Sequence, residues 1–226
     1  MKGIILAAGQ GTRLRPLTKV FSKVLLPVYD KPMIYYAIEK LQKAGIDDIA
    51  IVISPQHKEQ FEQQLADFTV TFVIQEDAKG TGHALSLTED FADGDSVCVV
   101  YGDNIFEDDL DLDDFQRGLR LFLREVAEPQ RFGVATIEDG KVVELVEKPE
   151  NPKSNLAVLG MYAYDNNVYQ HLRNLKPSPR GEYEITDVHD IYAKEGKADF
   201  RILRGFWSDA GKHDTLLEAG VWAKER

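Results

Sequence analysis

The sequence predicts an α/β fold, a mainly parallel central sheet flanked by helices, with a small antiparallel portion added in its second half. Two observations in the first half carry this. Its apolar runs are short and continuous rather than alternating, as in Ile49-Ala-Ile-Val-Ile53, which suits strands buried on both faces. Segments of helical period separate those runs. The third observation is Asp139-Gly140 between two apolar runs, a hairpin signal and hence an antiparallel element.

Taken in order, Ile4-Ile5-Leu6-Ala7 closed by Gly9 reads as a buried strand. Pro32 opens a helix with apolar residues at Met33, Ile34, Ala37, Ile38 and Leu41, and Gly45 stands past its end, the usual proline-start and glycine-stop arrangement. Residues 49–53 form a second strand, 57–66 a polar helix and 70–74 a third strand. A helix is expected over 82–91 and a fourth strand over 97–101. Strands over 134–137 and 142–146 make the hairpin. A strand over 157–164, a helix over 187–194, a final strand over 200–203 and a helix over 213–224 complete the chain. No repeat, low-complexity stretch or linker interrupts it, so residues 1–226 are expected to form a single domain, with the antiparallel portion roofing its site.

The formal net charge is −11 and the pI about 5.0, whereas a general nucleic-acid binder shows a basic face. The single cysteine, Cys98, allows neither an internal disulfide nor a cysteine-based zinc cluster and reads as a buried strand residue. The apolar run at the N-terminus is too short for a signal peptide, and no stretch approaches a membrane span. The expected compartment is the cytoplasm, with neither nucleic acid nor membrane as partner.

The loop Ala8-Gly9-Gln10-Gly11-Thr12-Arg13-Leu14 follows the first strand, where open α/β sheets bind ligands. Its glycines let successive backbone N–H groups approach phosphate oxygens. Alone this is weak, because Leu14 replaces the third glycine of a dinucleotide loop and the Gly-Lys-Ser/Thr ending of a P-loop is absent. The continuation adds two cations, Arg13 and Lys23, through Leu14-Arg-Pro-Leu-Thr18, Ser22-Lys-Val-Leu-Leu-Pro-Val28 and Lys31-Pro-Met33.

With those residues in view, the chain resembles the sugar-1-phosphate nucleotidyltransferases, and within them the short form of glucose-1-phosphate thymidylyltransferase. The resemblance continues through Gly102-Asp-Asn-Ile-Phe106, Arg131-Phe-Gly133, Glu147-Lys-Pro149, Pro152-Lys-Ser-Asn155, Gly160-Met-Tyr162, Lys176-Pro-Ser-Pro-Arg180-Gly-Glu-Tyr-Glu-Ile-Thr186-Asp187 and Trp207-Ser-Asp209-Ala-Gly211. It covers nearly the whole chain. It implies a Rossmann-like sheet and transfer of a nucleoside monophosphate from dTTP, or UTP next, to a sugar-1-phosphate, with glucose-1-phosphate favoured. Such a reaction needs two polyanions positioned and neutralised rather than a covalent nucleophile.

By resemblance, Ala8, Gly9, Gly11 and Thr12 cradle the nucleotide, and Arg13, Lys23 and Asp103 serve catalysis. Asp103 and Asp209 hold Mg²⁺, with Mn²⁺ as a substitute. Gln75, Gly80 and Thr81 meet the pyrimidine, whose edge suits an amide that both donates and accepts. Thr81-Gly-His-Ala84 also resembles the uridylyl-transferring members. Lys148 and Arg180 grip the phosphate of the sugar, while Glu147, Tyr162 and the backbone of Gly133 and Val158 read its hydroxyls. His83 and Trp207 are expected to pack. Oligomeric state stays open, a homo-oligomer included.

The acidic run Glu107-Asp-Asp-Leu-Asp-Leu-Asp-Asp114 lacks the glycine and terminal glutamate of a calcium loop and is read as a solvated run capping a following helix. Ala8 and Gln10 depart from the usual neighbours of the loop glycines. Lys212 stands where the resemblance has threonine, either competing with Mg²⁺ or facing solvent. The sequence stops soon after Asp209, short of the helical extension in which longer thymidylyltransferases build an interface and a feedback site, which leaves feedback by the product nucleotide–sugar an open question. Two rival readings remain. A non-catalytic nucleotide–sugar-binding module would be expected to have lost one of Arg13, Lys23, Asp103 or Asp209. A glycosyltransferase would usually carry Asp-x-Asp, where here Asn104 follows Asp103. A nicotinamide dehydrogenase is more distant, its glycine fingerprint being incomplete.

Overall fold

The structure is a computed structural model and describes all of residues 1–226. Its strands are β1 (Lys2–Leu6), β2 (Pro27–Val28), β3 (Lys31–Pro32), β4 (Ile49–Ile53), β5 (Val70–Ile74), β6 (Val97–Tyr101), β7 (Asn104–Phe106), β8 (Leu119–Glu125), β9 (Gly133–Glu138), β10 (Lys141–Glu147), β11 (Leu156–Tyr164), β12 (Ala198–Ile202) and β13 (Trp207–Asp209). The helices are α1 (Met33–Lys43), α2 (Lys58–Gln64), α3 (Thr81–Ser86), α4 (Glu89–Ala92), α5 (Val168–Arg173), α6 (Ile185–Lys194) and α7 (His213–Lys224). No helix is long and apolar enough to cross a membrane. The chain groups into two compact units. An outer-sequence unit comprises Lys2–Ala78, Val100–Leu110 and Gly205–Arg226, and a middle unit comprises Met1, Lys79–Val99 and Asp111–Arg204.

In the outer-sequence unit β1, β4 and β5 are parallel, with Ile5 beside Ile51 and Ile51 beside Phe72. All five residues of β4 are buried, the condition its continuous apolar run anticipates. Just past β6, the Gly102 N–H donates to Leu6 O at 3.0 Å. Helix α1 buries Met33, Ile34, Ala37, Ile38 and Leu41. It comes so close to β1 that a Cβ on Gly3 would meet Leu41 Cδ1 at 2.9 Å. The short ladder of β7 and β13 is antiparallel, with Asn104 opposite Asp209. Beneath it, Ile105 and Ala210 join Val28, Met33 and Ala219 of α7 in one apolar cluster, and Phe206 stacks on Trp222 at 4.7 Å.

In the middle unit β8 lies between antiparallel β11 and parallel β12. The β9–β10 hairpin joins β11 where Ala157 pairs Val134. Its turn residues Asp139 and Gly140 have φ of 48° and 73°, the two positive angles of a type I′ turn. Arg120 on β8 is 1% exposed. Its Nε and Nη2 donate to the two Asp199 carboxylate oxygens at 2.9 and 2.8 Å, and Nη1 donates to Asp114 Oδ1 at 2.6 Å and Asp111 O at 3.0 Å.

The α/β character, the parallel strands, the hairpin and α7 are as the sequence predicts, but several elements differ. The helix expected over 82–91 is two helices. Thr88 stands between them, its hydroxyl donating to Leu85 O at 2.7 Å and sharing a 2.9 Å bond with Tyr169, a local alternative to helical bonding. No helix follows the acidic run, so it caps none. Its carboxylates instead serve neighbours: Asp108 accepts the Gly205 N–H at 2.7 Å, Glu107 the Phe206 N–H at 2.6 Å and Asp114 the guanidinium of Arg120. The strand over 198–202 is not the last, because β13 follows.

Candidate active site

The glycine loop folds as it does to admit Lys23. A Cβ on Gly9 would lie 3.1 Å from Lys23 Cε. Gly11, at φ 62°, would place one 2.9 Å from Lys23 Cβ and Thr18 Cγ2. Positive φ and absent side chain are thus both required there. Thr18 closes the loop, its hydroxyl donating to Gly11 O at 2.7 Å. Ala8 is buried, while Thr12 and Arg13 open a short turn at the surface. Ala8 to Thr12 follow β1, Gln75 follows β5 and Asp103 follows β6, so all sit beyond the C-terminal ends of the strands, where such sheets bind ligands.

Asp103 and Asp209, far apart in sequence, are brought together by the β7–β13 ladder, and the Ala210 N–H donates to Asp103 O at 2.9 Å. The Lys23 ammonium pairs with Asp103 Oδ2, and Arg13 Nη2 lies 3.6 Å from Asp209 Oδ2. Burial alone would raise the Asp103 carboxyl, but the charge and hydrogen bond of Lys23 and the Asn104 amide hold it below the usual range. Asp209 moves the other way. Burial and the negative charge of Asp103 push it up, against Arg13, Lys23 and the Gly211 N–H. A buried carboxylate, Asp103, and a half-buried one, Asp209, in mutual repulsion are a hard-oxygen pair that a divalent cation would relieve. No cluster of three or more His, Cys, Asp or Glu side chains accompanies them. That donor set fits Mg²⁺, which keeps water and phosphate oxygens in its shell, better than an all-protein metal cage.

Gln75 is buried, its N–H donating to Ile53 O at 2.9 Å. Gly80 and Thr81 belong to the middle unit. Gly80 precedes α3 at φ 99°, and a Cβ there would meet Tyr183 O at 2.7 Å, while the Gly82 N–H donates to that same oxygen at 2.9 Å. His83 packs its ring beside Tyr183, centroids 6.2 Å apart, in keeping with the expected packing role.

The sugar set is also in the middle unit. Gly133 and Glu147 face each other at the open end of the hairpin. A Cβ on Gly133 would lie 3.0 Å from Thr186 Oγ1 and 3.3 Å from Glu147 Oε2. Thr186 donates to Glu147 Oε2 at 2.7 Å and Lys148 Nζ to Oε1 at 2.6 Å. Burial would raise Glu147, but those bonds and the charges of Lys148 and Arg180 hold it low, so it is an anionic acceptor. Lys148 adopts φ 45°, a costly conformation for a lysine and one that gathers at functional positions. Val158 and Tyr162 flank a break in the β11–β8 pairing. Tyr162 is buried against His189, with ring centroids 4.7 Å apart and edge-on.

A family model described as nucleotidyl transferase matches residues 2–225. The chain belongs to the nucleotidyl transferase family. Among curated relatives of this nucleotidyl transferase, a glucose-1-phosphate thymidylyltransferase of Neisseria meningitidis is 42% identical over 99% of this chain and 83% of its own length. One of Xanthomonas campestris is 44% identical over 96% and 79%. A crystal structure from Bacillus anthracis described as a glucose-1-phosphate thymidylyltransferase with sucrose superposes with a TM-score of 0.94 at 42% identity, covering 100% of this chain and 96% of that one. A UDP-glucose pyrophosphorylase complexed with UDP-glucose gives 0.87 at 29% identity, covering 100% and 99%.

In this nucleotidyl transferase, four residues that touch the candidate residues of their own unit, directly or through one another, were not singled out from the sequence. Trp207 does more than pack: its Nε1 donates to Asn104 Oδ1 at 2.9 Å, and the Asn104 amide donates to Asp103 Oδ1 at 3.1 Å. Gly211 leaves room for Arg13 and Asp209, as its Cβ would meet their charged atoms at 2.9 and 2.7 Å. Glu184 binds Arg180 at 2.7 Å. All four lie within motifs already quoted, but their roles depend on pairings the sequence does not display. Lys212 makes no ion pair with Asp209, which pairs with Arg13 instead.

Proposed function

We propose that this nucleotidyl transferase moves a nucleoside monophosphate from a pyrimidine nucleoside triphosphate, dTTP foremost and UTP next, to glucose-1-phosphate or a related sugar-1-phosphate in the cytoplasm. The observation that carries the reading is the cluster of Asp103, Asp209, Arg13 and Lys23, two cations with one buried and one half-buried carboxylate, beside a glycine loop. The names of the relatives support the substrate pair. An ionised oxygen of the sugar phosphate attacks the α-phosphorus, a P–O bond forms, the α–β bridge breaks, and pyrophosphate takes the electron pair. No general base is needed. Arg13 and Lys23 would neutralise the departing pyrophosphate. Lys148 and Arg180 would hold the attacking phosphate, and Glu147 would accept hydrogen bonds from sugar hydroxyls. Mg²⁺, held by Asp103 and Asp209, would supply Lewis-acid stabilisation of phosphate charge.

A second reading, a UTP-dependent uridylyltransferase, draws on the likeness to the UDP-glucose pyrophosphorylase. A pyrophosphate-release assay over a grid of nucleoside triphosphates and sugar-1-phosphates tests both. The expected result is highest turnover with dTTP and glucose-1-phosphate. UTP ahead of dTTP would favour the second reading, and preference for a purine or cytidine triphosphate would sink both.

A further inference from the structure

The start of α6 reaches the sugar set at three points. Thr186 meets Glu147 and His189 meets Tyr162, as described above, while Glu184, immediately before the helix, meets Arg180. Glu184 is the least expected of the three. Its side chain is only 8% exposed, against 43% for Arg180. It occupies the residue before the first turn, where an acidic side chain ordinarily caps helix N–H groups, yet it makes no capping bond. Instead its Oε1 accepts from Arg180 Nε at 3.2 Å, Arg180 Nη2 at 2.7 Å and Ser178 Oγ at 2.9 Å.

A buried carboxylate is tolerated when a cation and hydrogen bonds compensate it, and Arg180 is the cation paired with Glu184. The arginine, for its part, is a long side chain on a surface loop and would otherwise sample many rotamers. Glu184 takes the Nε–Nη2 side of the guanidinium. Nη2 also lies 3.4 Å from Glu147 Oε1, which leaves Nη1 of the planar fork for an incoming acceptor. We propose that Glu184 is a positioning residue that presents the Nη1 end of Arg180 to the phosphate of the sugar-1-phosphate. This rests on the assignment of Arg180 to that phosphate.

The test compares the intact protein with Glu184→Gln, Arg180→Ala and the double variant, measuring KM for glucose-1-phosphate and for dTTP by pyrophosphate release. Circular dichroism checks the fold. Glu184→Gln keeps shape but loses charge, and should raise KM for glucose-1-phosphate about tenfold, the effect of one charge-assisted bond. KM for dTTP should stay within about twofold. Arg180→Ala should raise the sugar-phosphate KM at least as much, with Glu184→Gln adding less than about twofold on top, because one residue acts through the other. A folded Glu184→Gln with unchanged KM, or additive penalties, overturns the proposal while leaving the role of Arg180 standing. An unchanged KM in Arg180→Ala overturns the sugar-phosphate assignment itself. If Glu184→Gln does not fold, Ser178→Ala, which removes one of the three bonds to Oε1, should raise the same KM about threefold, and no shift there counts against the proposal.

Discussion

The ammonium of Lys23 rests on Oδ2 of Asp103, so the proposed triphosphate clamp and the proposed metal ligand neutralise each other in this structure. A cation arriving at Asp103 must therefore compete with Lys23 for the same carboxylate. We predict that Lys23→Ala lowers turnover on the order of 100-fold, as expected for one lost charge contact to the transition state. The same change should tighten Mn²⁺ binding to the nucleotide-free protein about tenfold, because like-charge repulsion is removed. Electron paramagnetic resonance titration of Mn²⁺ reads the second effect. Weaker Mn²⁺ binding would mean that Lys23 does not oppose the metal.

Asp103 and Asp209 should act as one unit. If both hold the same ion, Asp103→Asn and Asp209→Asn will each approach the turnover of the double variant, since residues working together are strongly non-additive. Activity should vanish with a chelator and return with Mg²⁺ or Mn²⁺. A double-mutant cycle at saturating metal decides this, and additive penalties would break the shared-metal arrangement.

How much of this could be read in advance depends on distance along the chain. Strands β4, β5 and β6 and helix α7 were legible to the residue because each is specified by its own apolar pattern. Strand β8 was not. Arg120 interrupts its apolar run and is buried only because Asp199 and Asp114 compensate it, a pairing that tertiary structure supplies. Strands β7 and β13 are three residues each, too short for a period, yet they bring Asp103 to Asp209. The candidate site residues were legible as a list through the resemblance. Their supports, Trp207 through Asn104 and Glu184 beside Arg180, were not.

Gly211 offers a test of crowding. A methyl group there would sit 2.9 Å from Arg13 Nη2 and 2.7 Å from Asp209 Oδ1, wedging the pair apart. Gly211→Ala should therefore lose about tenfold or more in kcat with the melting temperature nearly unchanged. Wild-type turnover in the variant would show that Arg13 need not stay beside Asp209.

His189 carries a pH prediction. Full burial holds its pKa down to about 3, against an ordinary 6.5, and its Nδ1 has no hydrogen-bond partner. The unfolded chain then binds a proton that the folded chain refuses across that window, so stability falls as pH drops below about 6.5. The slope is about 1.4 kcal/mol per pH unit for one proton. Chemical denaturation between pH 7 and 5 should show this slope reduced by one proton in His189→Phe, whatever the variant costs at neutral pH. An identical slope would mean that His189 is protonated in the fold.

Two arginines share Asp114. Arg201 Nη2 reaches it at 2.9 Å with the side chain a third exposed, whereas Arg120 reaches it at 2.6 Å from a side chain only 2% exposed. Dissolved ions screen exposed charges over about 10 Å at 0.1 M, and buried pairs far less. Asp114 itself is 66% exposed, so the inner arginine is distinguished by its own burial and by its 3.0 Å bond to Asp111 O. Concentrated brine will thus loosen the outer arginine first, and that bond to a neutral oxygen will keep the loop from Asp111 to Asp114 tied to β8 after the surface ion pairs have weakened.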